Sequence, residues 1–231
     1  MTGFSGAEPS VIYNDKHFLV INKPAGLQVH PAAVAGARRS APDEPTLVDW
    51  LLAHYPEVRA VGDDPVHRPG IVHRLDKGTS GVMLVARDQE GFDYLKALFQ
   101  KHEVKKTYLA VVRGELKNKE GVIDAPIGIR NGTTKRTVHG GRVVKPAVTE
   151  YKVVGKFREV GYTLIQAFPK TGRTHQIRVH LASIGHPIAG DRLYGGNVQP
   201  GWAGRMMLHA SAIEFTGPDG KRLKFEAEAP F

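Results

Sequence analysis

The clearest capacity for chemistry in this chain lies in one carboxylate on a short polar turn. In His73-Arg74-Leu75-Asp76-Lys77-Gly78-Thr79-Ser80-Gly81, Asp76 is flanked by Arg74 and Lys77, and the turn leads into the apolar stretch 82–86. Cations beside a carboxylate favour its ionised form. An ionised carboxylate suits nucleophilic attack or charge stabilisation better than acid catalysis. An isolated Asp of this kind is ordinarily a turn residue between surface cations. Its meaning therefore depends on what else the chain carries.

A second block, Thr171-Gly172-Arg173-Thr174-His175-Gln176-Ile177-Arg178-Val179-His180-Leu181, supplies cations. Thr174 is placed to cap a helix running to Ile184, with His175 and Arg178 on one side and Ile177, Leu181 and Ile184 on another. Arg178 beside an essential carboxylate would be a fixed counter-ion, bidentate if well placed. A surface arginine on an amphipathic helix fits this block equally well. Tyr108, in Lys106-Thr107-Tyr108, sits on an apolar strand, where a tyrosine is ordinarily a core residue and otherwise a base-stacking one.

Other chemistries find less support. The string His73-Arg74-Leu75-Asp76 looks like a kinase catalytic loop, but the Gly-rich loop, Asp-Phe-Gly and Asn that kinases need are missing, as is a Walker-type loop. The chain has eleven histidines, densest at His175, His180 and His186 with His209 further on. His175 and His180, five apart on a helix, would diverge by about 140° and do not converge on a metal. No His-Glu-x-x-His is present, and neither a metal nor a cofactor is expected.

These residues need a scaffold, and the patterning describes one rich in strands. Residues 11–13 and 18–21 read as strands around the turn pair Asn14-Asp15, and 31–45 has loop composition. Thr46 can cap a helix to about Tyr55, and a second loop covers 56–70. Asp88 can cap a helix to about His102 with Phe92, Leu95, Leu98 and Phe99 as its buried stripe. Strands are predicted at 104–113, 151–154 and 162–167, around a Gly/Lys/Arg-rich excursion at 130–145. Gly217-Pro218-Asp219-Gly220 marks a hairpin between 205–215 and 222–226.

Bulk properties narrow the class. The chain has 231 residues, of which 41% are apolar and 24% charged. No run approaches the roughly 18 apolar residues of a membrane span. Cysteine is absent, which excludes disulfides, thiolate catalysis and Cys-ligated zinc. Residues 125–190 hold eleven Lys and Arg against Glu150 and Glu159 only, so this segment alone carries the whole chain's net charge of +9. A neutral body with one basic third is an electrostatic footprint for a polyanion, nucleic acid above all.

In combination and in order, these stretches resemble the RluA-type family of RNA pseudouridine synthases. The matching residues begin with Val20-Ile21-Asn22-Lys23-Pro24-Ala25-Gly26-Leu27, His30-Pro31, 73–81 and Lys106-Thr107-Tyr108. They continue with Lys145-Pro146-Ala147, Thr149, 171–181, Gly185-His186-Pro187, Gly190-Asp191, Tyr194-Gly195 and Leu208-His209-Ala210. The resemblance implies isomerisation of uridine within RNA: the C1′–N1 bond breaks, uracil turns while bound, and C5 joins C1′. It implies that Asp76 is the catalytic aspartate, Tyr108 the tyrosine stacked on the base, and Arg178 the basic partner of the aspartate. Leu208 matches the apolar wall of the pocket, and Arg74 the side chain that fills the stack once the nucleotide is extruded. His73, Lys106, Arg173, His175, Ile177, Lys135 and Arg136 are the further candidates for substrate or RNA contact.

The expected fold is α+β: a pseudouridine synthase-like mixed, mainly antiparallel sheet with flanking helices and a central basic cleft, formed by one catalytic domain over residues 1–231. Many relatives begin with a separate small RNA-binding domain. Here the pattern starts near residue 11, so target choice is expected to come from the catalytic domain, through its basic excursion and the 31–45 and 56–70 loops. The expected partner is structured RNA, ribosomal or transfer, acted on by a cytoplasmic monomer without metal or membrane. The alternative is a non-catalytic RNA-binding or assembly factor, for which Asp76, Tyr108 and Arg178 should not all be intact. A glycoside hydrolase would require a second acid that the chain does not offer.

Overall fold

A computed structural model of the chain describes residues 8–31, 44–133, 135–196 and 200–231. Its residues form two compact units, 1–104 with 214–227 and 105–213 with 228–231. Most of the predicted 31–45 loop, residues 32–43, lies outside the described residues.

The first unit is built on an antiparallel meander of β1 (Ser10–Asn14), β2 (Phe18–Lys23) and β3 (Ser80–Ala86). Asp15 makes the first turn by accepting the backbone N–H groups of His17 and Phe18, both at 2.8 Å. All seven residues of β3 are buried, which explains why it reads as an unbroken apolar run without alternation. Thr46 caps α1 (Leu47–His54) in a reciprocal capping box with Asp49, as the sequence predicts. The 56–70 loop contains a 3₁₀ turn, Pro56–Ala60, in which Pro supplies the first position. Asp88 caps α2 (Gln89–Gln100), whose buried face is Phe92, Leu95 and Leu98 and which packs on β3. Phe99, expected in that stripe, is half-buried at its margin.

The second unit carries the strand order β11-β4-β10-β9-β5. Its elements are β4 (Lys105–Arg113), β5 (Glu120–Asp124), β6 (Ile127–Ile129), β7 (Arg136–Thr137), β8 (Arg142–Lys145), β9 (Val148–Lys156), β10 (Tyr162–Pro169), α3 (Gln176–Ser183) and β11 (Leu208–Thr216). β10 pairs antiparallel with both β4 and β9, and β9 with β5. Along β10, Thr163, Ile165, Ala167 and Pro169 are buried and their neighbours are not, a strict period of two. Of these inward positions, Ile165 and Ala167 join Ala110, Val111, Val112, Ile177, Leu181 and Leu208 in one core. Each such aliphatic side chain contributes roughly 1.5–3 kcal/mol relative to exposure. α3 lies on β9 and β10.

Three expectations are corrected in this unit. The basic excursion is folded: β6 pairs with β7 and β8 in a separate three-stranded sheet. Thr174 does not cap α3. His175 takes that position in the left-handed region, at φ 58°, and the Gln176 side chain turns back to accept the Arg173 backbone N–H at 3.0 Å. Ile184 is not buried; it follows the helix with 39% exposure because the chain has already turned toward Gly185.

β11 begins in the second unit, and its last residues belong to the first. It pairs with β12 (Arg222–Glu226), one residue later at its start than the hairpin turn Gly217-Pro218-Asp219-Gly220. Phe215 and Phe225 then pack with Phe18 and Tyr13 at ring separations of 5.0–6.3 Å, which fixes this hairpin on the meander. No helix of the described residues is long and apolar enough to cross a membrane.

Candidate active site

Main-chain hydrogen bonds hold the Asp76 turn. Thr79 N–H donates to the Asp76 carbonyl at 3.0 Å, and Gly26 N–H donates to the Lys77 carbonyl at 2.8 Å. Upstream, Ala86 N–H donates to Gly70 O at 2.9 Å, and Ile71 bridges Val85. Lys23, fully buried, donates to the carbonyls of Leu27 (2.7 Å) and Pro24 (2.8 Å) and reaches Lys77 O at 3.5 Å. One ammonium therefore ties the 24–27 turn to the turn that bears Asp76. The Asp76 residue is half-buried between buried Leu75 and buried Thr79.

The cations adjacent in sequence have partners of their own. Lys77 pairs with Glu44. Arg74 donates to His30 Nε2 at 3.0 Å, while His30 Nδ1 faces Pro31 O at 2.9 Å. Burial holds His30 below the ordinary imidazole range, and the Arg74 guanidinium adds to that against the Pro31 carbonyl. His73 is a scaffold residue: its Nε2 accepts the Leu84 backbone N–H at 2.9 Å and its ring stacks on Phe99, centroids 4.5 Å apart. The imidazole thus supplies an acceptor that a neighbouring strand would otherwise provide.

Arg178 is held by side chains. Asp191 takes its guanidinium in a fork, Nε to Oδ2 at 2.7 Å and Nη2 to Oδ1 at 2.9 Å. The Arg178 side chain is 11% exposed and that of Asp191 1%. Burial pushes the Asp191 carboxyl up, but the Arg178 fork and the N–H groups of Leu193 and Tyr194 outweigh it and hold the carboxyl below its ordinary range. Those two N–H groups donate to Asp191 Oδ1 at 2.9 and 3.2 Å and order the loop behind it. Gly190 makes the approach possible: at φ +74° a Cβ there would stand 1.9 Å from Arg205 O.

The same loop delivers Tyr194, whose ring lies under the Arg178 guanidinium at 5.1 Å. Its hydroxyl accepts the Arg136 backbone N–H at 2.9 Å and shares a hydrogen bond with His175 Nδ1 at 2.9 Å. Arg136, His175 and Arg178, three residues singled out in the sequence, thus meet on a fourth that was not. Asp191 and Tyr194 had only a share in the family pattern to mark them. Their roles depend on a loop geometry that no spacing encodes.

The remaining candidates separate by environment. Tyr108 lies opposite Ala167 in the β4–β10 pair, half-buried against the core. Lys106, two residues earlier, shares its face of β4, and burial pushes its ammonium down. Ile177 and Leu208 belong to the core of the second unit. Arg173 Nε donates to Pro146 O at 3.0 Å, and Lys135 is exposed. His180 is fully buried between Thr149 Oγ1 and Ala125 O, each at 2.9 Å, and burial holds it below the ordinary imidazole range. Gln176, another residue the sequence reading left unassigned, bonds Thr171, Val148 and Thr149 and so joins α3 to β9. Among the described residues, the cluster with metal-ligand spacing is His17, Asp88 and Glu90, where Asp88 already caps α2. It contains no candidate site residue.

Residues 17–183 match the family described as RNA pseudouridylate synthase. The chain is 40% identical over 236 residues to the ribosomal large subunit pseudouridine synthase D of Pseudomonas aeruginosa, covering 96% of this chain and 69% of that protein. It is 43% identical over 231 residues to the enzyme of the same name from Nitrosomonas europaea, covering 95% of this chain and 62% of that one. Human RNA pseudouridylate synthase domain containing 1 has a similar structure, with TM-score 0.76 and 28% identity over 97% of this chain and 84% of its own. The chain belongs to the RNA pseudouridylate synthase family. It is an α+β RNA pseudouridine synthase, an isomerase that converts uridine to pseudouridine within RNA.

Proposed function

We propose that this chain modifies uridine in large-subunit ribosomal RNA, with Asp76 as catalytic carboxylate, Tyr108 stacked on the target base and Arg178 as the guanidinium that serves the carboxylate. The observation that carries this reading is the Asp191–Arg178 fork. A nearly buried arginine held by two side-chain bonds is ordered before any substrate arrives, as preorganised electrostatic catalysis requires. The names of the relatives favour ribosomal over transfer RNA.

In the reaction C1′–N1 breaks and C5–C1′ forms; C5 loses a proton and N1 gains one, so atoms and charge balance. An ionised carboxylate can act at C1′ or remove the 2′ proton. An aromatic face holds the detached uracil through stacking worth roughly 1–3 kcal/mol. The basic 125–190 segment grips phosphates without reading bases.

The test is tritium release from an in vitro large-subunit ribosomal RNA transcript carrying [5-³H]uridine. Asp76→Ala is expected to lose at least about a thousandfold in rate while filter binding of the same RNA persists. Equal release by the variant would sink the assignment of Asp76. Binding without release by the unaltered protein would point to the non-catalytic RNA-binding alternative.

A further inference from the structure

We infer that Tyr194 is a positioning residue that couples the RNA-gripping strand β7 to the Arg178 guanidinium. The inference rests on the reading that Arg178 serves the reaction and adds how RNA binding is registered there. Three observations carry it. The Tyr194 ring supports the guanidinium from below at 5.1 Å, on the side that the Asp191 fork leaves to stacking. The hydroxyl holds both the Arg136 N–H of β7 and the His175 ring at the head of α3, each at 2.9 Å. The ring also packs with Ile127, Ala147 and Val179, one residue each from β6, the approach to β9, and α3. One side chain is thus the joint between the three-stranded basic sheet and the helix that carries Arg178.

Arg136 supplies the motive for movement. Its Nε is buried with no hydrogen-bond partner among the described residues. A buried donor left unbonded is a penalty that a better acceptor relieves. The exposed neighbours Lys135 and Arg142 make β7 and β8 a place where a phosphate would arrive. When Arg136 turns to a phosphate, its backbone N–H stays on Tyr194, so the displacement of β7 reaches the ring beneath Arg178. His175 is held by the same hydroxyl in a left-handed conformation, which ties the start of α3 to that event.

The link predicts a split between binding and turnover. Tyr194→Phe keeps the ring and removes the hydroxyl; Tyr194→Leu removes both. With the [5-³H]uridine transcript as probe, Tyr194→Phe should raise KM about three- to tenfold with the larger part of kcat kept, as loss of the hydroxyl's two coupled hydrogen bonds implies. Tyr194→Leu should also lower kcat, by about tenfold or more, as loss of a desolvated cation–π support implies. Arg136→Ala and Tyr194→Phe should combine in kcat/KM less than multiplicatively, by a factor of about three or more. Matching circular dichroism and unfolding midpoints exclude a merely structural loss, and if Tyr194→Leu does not fold, the Arg136–Tyr194 cycle decides alone. Wild-type kcat in Tyr194→Leu, identical behaviour of the Phe and Leu variants, or a multiplicative cycle would overturn the link. Asp76→Ala run alongside separates the two claims: if it is inactive and the cycle is multiplicative, the coupling is wrong and the catalytic assignment stands.

Discussion

The two units hold their key residues by opposite means. Asp76 sits on a turn fixed by backbone hydrogen bonds, a strand bridge and a buried lysine that bonds main-chain carbonyls. Arg178 is itself part of what fixes it, since Asp191 and Tyr194 grip the guanidinium directly. A residue placed by its backbone can be replaced with little loss of fold, whereas one placed through its own functional group cannot. Placement rests on main-chain contacts in the first unit and is entangled with side-chain contacts in the second.

The largest expected effect tests the entangled side. Asp191→Ala removes the two-bond fork from a nearly buried guanidinium and frees the loop N–H groups of Leu193 and Tyr194. It should cost about 3–5 kcal/mol of stability and depress tritium release as well. Urea unfolding checks the first and the transcript assay the second. A variant as stable as the parent would show that the fork is not what holds Arg178, and the contrast between the units would disappear.

Lys23→Met asks whether the first unit is as independent as it looks. The methionine keeps the volume but leaves the carbonyls of Leu27 and Pro24 without their donor. The expected loss is about 2–3 kcal/mol, with the residual activity following the folded fraction. A collapse of kcat at unchanged stability would mean that the lysine serves the chemistry.

Acid sharpens the contrast further. The folded pKa of Asp191 lies below its unfolded value, so its stabilisation is complete above about pH 4 and is lost as the pH falls below that. His180, also in the second unit, is held below the ordinary imidazole range. Its neutral form is the folded one, so its contribution is complete above about pH 6.5 and is lost as the pH falls through its lower folded value. The midpoint of urea unfolding should therefore decline between pH 7 and 5 more steeply in the parent than in His180→Gln. Parallel slopes would show that His180 is not the group responsible.

Much of the scaffold was legible because its signals are local. Thr46 with Asp49, and Asp88 ahead of an apolar stripe, are capping patterns complete within four residues. The apolar run of β3 and the alternation of β10 are periods that any reading of the chain meets. Asp76, Tyr108 and Arg178 stood out through ordered blocks. What escaped depends on distance. Nothing near Arg178 in sequence reveals Asp191 as its partner, because the two stand thirteen positions apart with a glycine-dependent turn between them. The capping rule failed at Thr174 for a related reason: Gln176 is committed to β9 and to the Arg173 N–H, which leaves His175 to take the left-handed position. The pairing of Arg74 with His30 and Lys77 with Glu44 shows the same limit, since proximity along the chain reveals neither.

The smallest expected effect concerns Val143, on β8 of the basic sheet. A β-branched residue at φ 53° is strained, and this one is 67% exposed, so no packing is gained in return. It stands next to Arg142, where the pairing of β6 with β8 shifts register. Relief of the strain by Val143→Gly is opposed by the conformational entropy that glycine loses on folding, and the net gain should be no more than about 1 kcal/mol. If this sheet transmits RNA binding to Arg178, the stabilised strand should also shift KM while kcat holds. A gain in stability with no movement of KM would confine the strain to local geometry and set the coupling at β7 alone.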